Sequence, residues 1–153
     1  MQHNKTPFGL ASLIILYTGI RGAELESLSF DWTAGTFKVK NAKLKKSQKL
    51  NTQNIYRTVP IFPALWGLRT RIENEKWIIG PRELSGNFHR YWTEHTIKDL
   101  RHTFTTKARE ARIDNELVNL WTGHLPGSNV TANVYTHFSM DFQKEEAKKM
   151  PIY

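Results

Sequence analysis

TIKDLRHTFTTKAREARIDNELVNLWTGHLPGSNVTANVYTHF, residues 96 to 138, is the stretch on which the reading of this chain turns. Ile97, Leu100, Phe104, Ala108 and Ala111 recur at three- and four-residue steps, which predicts an amphipathic helix with Thr96 as its cap. Arg101 follows Leu100 directly and Ile97 by four residues, so it borders the buried face and is expected on the rim of the core. Lys98, three residues earlier, faces the same place. Asp114 caps a further helix, ELVNLWT, which Gly123 ends, leaving His124 at a helix terminus. The turn-rich LPGSN follows, and VTANVYTHF resumes helix with Tyr135 beside a face made by Val130, Val134 and Phe138. Taken singly, a tyrosine at a helix edge packs and a lone arginine is solvated. Their order along the chain is what carries information.

Upstream, Thr6 and Pro7 open a helix whose apolar run through Tyr17 is hydrophobic nearly all round, hence buried. Gly19 supplies its left-handed stop, and Arg21 falls at the junction with a second short helix, GAELESL. Phe37 and Val39 alternate with Lys38 and Lys40, while Ile55, Val59 and Ile61 carry a second alternating run, which predicts an antiparallel hairpin. Residues 38 to 49 hold six lysines and no acid. Such a run is usually a solvated loop, yet a cationic hairpin tip also suits a phosphate backbone. Beyond Pro60 and Pro63, residues 64 to 76 form a helix, WIIGPRELSG is a short apolar strand or turn and then a break, and residues 87 to 93 form another short helix. Phe88, Tyr91 and Trp92 are assigned to the core. Ser139 caps a last amphipathic helix before a basic and then apolar tail.

The 153 residues suffice for one core, so residues 1–153 are expected to be a single domain, mainly α within the α+β class, with a small antiparallel β-sheet or hairpin. Lys and Arg number 22 against 14 Asp and Glu, a surplus of +8 that favours polyanionic partners. The absence of cysteine excludes disulfides and thiolate metal sites and fits an intracellular, cytoplasmic life. The apolar run from Leu10 to Tyr17 is far short of the roughly 20 residues of a membrane span, so no membrane association is expected. Two arginines, a lysine, a histidine and a tyrosine, without an acidic metal cluster, suit one kind of centre: cations around a phosphodiester with a phenol as nucleophile.

TGIRGAELESLSFDW, the hairpin ending in RTVPIF, KDLRHTF, LWTGH and NVYTHF together resemble the catalytic domain of tyrosine recombinases of the phage-integrase type, five blocks in family order from Leu13 to Phe138. The resemblance implies cleavage and rejoining of double-stranded DNA through a covalent 3′-phosphotyrosine, without metal or cofactor. Arg21 and Arg101 match the two catalytic arginines, His124 the histidine of the Gly-His step, Tyr135 the nucleophile and Lys43 the hairpin lysine, with Lys40 or Lys45 taking that place if the turn shifts. Glu24 matches an acidic position of structural role. One position departs from the pattern: the histidine common three residues before the second arginine is Lys98 here. A histidine near pKa 6.5 exchanges protons at neutral pH, whereas a lysine near about 10.4 stays charged, so the base for Tyr135 is left open. His102 is expected to be structural. The resemblance further implies a homo-tetramer on two duplexes and a separate N-terminal DNA-clamping domain, which makes this chain a fragment. The tail EEAKKMPIY is then expected to dock on a neighbouring protomer or, without partners, to fold back or be disordered. Three other readings compete: a non-catalytic DNA-binding module that kept the fold, a type IB topoisomerase-like relaxing enzyme, and a helix-turn-helix regulator, which leaves Arg21 and the hairpin lysines unexplained.

Overall fold

The computed structural model describes residues 6–44, 46–49, 55–124 and 138–153. Helix α1 (Pro7–Thr18) begins where Thr6 Oγ1 accepts the Gly9 N–H at 3.0 Å, with Pro7 at the first helical position, where a missing N–H costs nothing. Leu10, Ala11, Ile14 and Ile15 are fully inaccessible, as the all-round apolarity predicts. The helix stops at Gly19 with φ 70°, and a Cβ there would lie 2.4 Å from the Phe104 ring of helix α6 (Ile97–Glu110). Both backbone conformation and space therefore demand glycine, and the close approach draws the TGIR turn against α6.

The segment after Arg21 is a 3₁₀ helix, Gly22–Ser27, and it leads into the sheet. Strands β1 (Ser29–Asp31), β2 (Thr36–Lys40) and β3 (Tyr56–Pro60) pair antiparallel in that order, so the expected hairpin gains an edge strand. Phe37 pairs with Val59 and Val39 with Arg57, which puts these four residues on the buried face and Lys38 and Thr58 on the exposed one. Between β2 and β3 lies the short helix α2 (Lys46–Lys49).

The single helix expected over residues 64 to 76 is two, α3 (Pro63–Gly67) and α4 (Arg69–Asn74), joined at Leu68. PRELSG is not a break: Pro81 opens α5 (Pro81–Tyr91), using proline where it is best tolerated. Phe88 is buried there, whereas Tyr91 and Trp92 keep 46% and 38% exposure and pack on Phe8 at the surface. In α6 the Thr96 N–H donates to Asp99 Oδ2 at 2.7 Å. Helix α7 (Asn115–Thr122) starts at Asp114, whose side chain accepts the Glu116 N–H, and ends at Gly123 with φ 74°. Helix α8 (Met140–Ala147) starts at Ser139 as expected.

Phe62 sits where these pieces meet. Its ring centroid lies 5.0 Å from that of Trp121 on α7, 5.2 Å from Phe104 on α6 and 6.2 Å from Phe37 on β2. Edge-on aromatic packing of this kind fixes the ends of α6 and α7 against the sheet. Helix α8 closes the far side, with Trp121 Nε1 donating to Gln143 Oε1 at 3.0 Å. Beyond α8, Met150 is buried and the Tyr153 hydroxyl donates to the Leu16 carbonyl at 2.7 Å, so the tail folds back on its own chain. The architecture is helical with one small antiparallel sheet, as the sequence predicts. No helix among the described residues is long and apolar enough to cross a membrane.

Candidate functional site

Arg101 is pulled inward by carbonyls at two helix ends. Its Nη1 donates to Gly19 O at 2.8 Å, at the stop of α1, and to Thr122 O at 2.6 Å, in the last turn of α7. Its Nη2 meets His124 Nδ1 at 3.1 Å. The side chain is thus buried, not on the rim, because the TGIR turn and the end of α7 close over a helix face that in isolation would be a border. The carbonyls of a helix's last turn lack helical N–H partners and carry partial negative charge, which suits a cation. Arg21 approaches the same carbonyl: its Nη1 lies 3.5 Å from Thr122 O and 3.4 Å from Glu24 Oε1. Two guanidinium groups separated by 80 positions in sequence therefore converge on one helix terminus.

Burial and neighbouring like charge both show in the protonation of Arg101. Burial, and then the charges of Arg21 and Arg57, lower the Arg101 pKa to about 10, with Glu24 opposing. Arg101 remains a cation at neutral pH. Burial and the charges of Arg101, Arg21 and Arg57 also push His124 below its ordinary value. An arginine only donates, so its contact with Nδ1 makes that nitrogen the acceptor and leaves the His124 proton on Nε2.

Beneath these groups lies an ion pair of which only Glu24 is marked by the resemblance. Glu24 is fully buried and accepts from Arg57 Nη1 at 3.1 Å, Arg57 Nη2 at 2.7 Å, the Arg21 N–H at 3.0 Å and the Ala42 N–H at 3.2 Å. Arg57 further donates through Nε to Trp121 O at 3.0 Å and through Nη1 to Asn41 Oδ1. Burial pushes the Glu24 carboxyl up, but the hydrogen bonds and charge of Arg57, with the Arg21 and Ala42 N–H groups, outweigh it and hold it below the usual range. Four segments are tied together: the TGIR turn, the hairpin base at Asn41 and Ala42, β3, and the end of α7. A signal for Arg57 was present in the sequence, since it shares parity with Val59 and Ile61 on a strand whose alternate residues are buried.

Arg21, Lys43, Lys98, Arg101 and His124 all line one cavity of about 600 Å³. Lys43 and Lys98 are exposed at its wall. His102, expected to be structural, lines it as well: Lys98 and His102 are one helical turn apart on α6 and share its face. Thr105, Thr106 and Arg109 continue the wall along α6, and no carboxylate contributes to it among the described residues. Tyr135 and Lys45 lie outside the described residues. Lys40, the other candidate at the hairpin, faces a separate depression with Lys49 and Glu26.

No family model matches the chain, and no curated protein sequence matches it. Among solved structures, the integrase from mycobacterium phage Brujita is similar, with a TM-score of 0.67 at 16% sequence identity. The match covers 95% of this chain and 52% of that one, so the chain spans about half the length of that integrase. At this identity the likeness shows the fold, and the fold is integrase-like.

Proposed function

We propose that the chain cleaves and rejoins double-stranded DNA through a covalent tyrosine ester, with Tyr135 as nucleophile and the Arg21–Arg101–His124 cluster as the phosphate site. The observation that carries this reading is the meeting of both guanidinium groups at the Thr122 carbonyl in a cavity walled by cations. In-line attack by the phenolic oxygen forms the tyrosine O–P bond and breaks the bond from phosphorus to the 5′ oxygen. Negative charge grows on the non-bridging oxygens as this happens. Arg21 and Arg101 offer planar donors to it, and His124 adds its Nε2 proton. Lys43 supplies the proton that the departing 5′ oxygen takes up. The phenol, with an unperturbed pKa of about 10, loses its own proton in a field of positive charge that favours phenolate. Lys98 contributes to that field and holds the phosphate. The phosphoester energy is kept in the 3′-phosphotyrosine, so attack by a different 5′ hydroxyl rejoins the strand without a nucleotide or metal cofactor. Like the recombinases it resembles, the chain acts as a homo-tetramer on two duplexes.

A nicked duplex that loses a short fragment on cleavage tests this directly. The expected result is a covalent protein–DNA adduct, formed in the presence of chelator and absent in Tyr135→Phe. An adduct that survives this substitution removes Tyr135 from the mechanism. The second reading is a DNA-binding module that kept the fold without the chemistry, favoured by Lys98 at a position where the resemblance expects histidine. Tight duplex binding with no adduct would decide for it.

A further inference from the structure

The cavity is much longer than one phosphate requires. Its α6 wall runs from Lys98 to Arg109, about 16 Å at 1.5 Å per residue. Lys98, His102, Thr105 and Arg109 are spaced by four, three and four residues, so they form one stripe along the helix. Arg101 flanks that stripe and reaches inward, while Thr106 flanks it on the other side. The acids of α6 lie off the stripe and are engaged there: Asp99 accepts the Thr96 N–H, and Glu110 pairs with Lys107 at 3.0 Å. Lys98 and Arg109 form no ion pair with any described carboxylate. The two faces of one helix thus differ, with internal neutralisation on one and uncompensated charge on the other.

We propose that this stripe is a track for the phosphate backbone of the cleaved strand, with Arg109 gripping a phosphate beyond the one held by Arg21 and Arg101. One strand of a duplex rises roughly 3.4 Å per nucleotide along the axis while winding around it, so a straight wall of this length meets about two or three successive phosphates. A side chain that neutralises one phosphate releases counterions and steepens the fall of affinity with salt by about 0.9 in the log–log slope. The track rests on the DNA reading above but not on its chemistry, so it is measured by binding alone.

The experiment uses the full chain carrying Tyr135→Phe and a fluorescent duplex, with anisotropy followed across a salt series. Arg109→Gln is expected to lower the slope by about 0.9. Lys107→Gln, the same charge change two residues away on the neutralised face, leaves the slope as it was. Thermal melts of both variants establish that they fold. Equal slopes for Arg109→Gln and its parent overturn the track, as does a parent that binds no duplex. Binding with the expected slopes but no adduct from the unsubstituted chain would leave the track standing and defeat strand cleavage. An adduct together with equal slopes would defeat the track alone.

Discussion

Glu24→Gln is the substitution that best measures what holds the candidate site in shape. The glutamine keeps the volume and one acceptor oxygen, but it removes the charge and turns an amide donor toward the guanidinium of Arg57. Arg57 is left 7% exposed with its counter-charge gone. Removing one member of a buried pair costs about 3–5 kcal/mol, a large part of the roughly 5–15 kcal/mol that keeps a domain folded. With a denaturant slope near about 2 kcal/mol per M, the urea midpoint should fall by about 2 M at pH 7. The acid limb provides a second reading. Because the folded carboxyl titrates below its usual 4.5, its stabilisation is complete above that pH and is lost as pH falls through the depressed value. Glu24→Gln should lack this part of the acid transition. Pairing it with Arg57→Met should recover part of the loss, because no buried charge is then orphaned. A single variant within about 0.5 kcal/mol of the parent would refute the reasoning, since that is the scale of an exposed pair.

Arg101→Lys keeps a cation but loses the fork that reaches Gly19 O, Thr122 O and His124 together. Duplex binding should persist while the rate of adduct formation falls by orders of magnitude, and unchanged single-turnover cleavage would contradict the planar-donor role. Gly123→Ala places a methyl group 2.5 Å from Arg57 Nη1 at a residue with φ 74°. Arg57 cannot retreat without leaving Glu24 and Trp121 O, so a loss above about 2 kcal/mol is expected, or roughly 4–8 °C in the melting midpoint. A loss below about 1 kcal/mol would mean that the ion pair yields easily.

Local rules read most of the helices correctly because their signals are local. Thr6 with Pro7, Gly19, Asp114 with Gly123, and Ser139 each mark a helix end through groups only a few residues away. The failures have a different origin. PRELSG has a helix-starting proline before two weak helix formers, and tertiary packing of Leu84 and Phe88 decides in favour of helix. Edge strand β1 is three residues long, too short to show a period. Of the site, Arg21, Lys43, Lys98, Arg101 and His124 were legible as an ordered set, and they share one cavity. Arg57 was not, because reading the hairpin for its apolar alternation passes over a charged residue that obeys the same alternation. The place of His102 on the cavity wall follows from its spacing to Lys98 and not from its adjacency to Arg101.

The balance of charge in this cluster bears on the proposed function. Arg21, Arg57 and Arg101 bring three guanidinium groups to the end of α7, and among the described residues Glu24 is the one carboxylate that hydrogen-bonds with them. Its closest partner is Arg57, the member that knits the segments together and lines no part of the cavity. Arg21 keeps a longer contact of 3.4 Å with Glu24 Oε1, Arg101 hydrogen-bonds no carboxylate among the described residues, and both meet the Thr122 carbonyl, which orients them. A second acid at the cavity wall would relieve their repulsion and make the domain more stable. It would also occupy the donors. Burial lowers the Arg101 pKa first and the charges of Arg21 and Arg57 add to it, and an incoming anion relieves that like-charge part. On the proposed function, a phosphodiester passing to a more highly charged transition state would gain more from such a site than it does at rest.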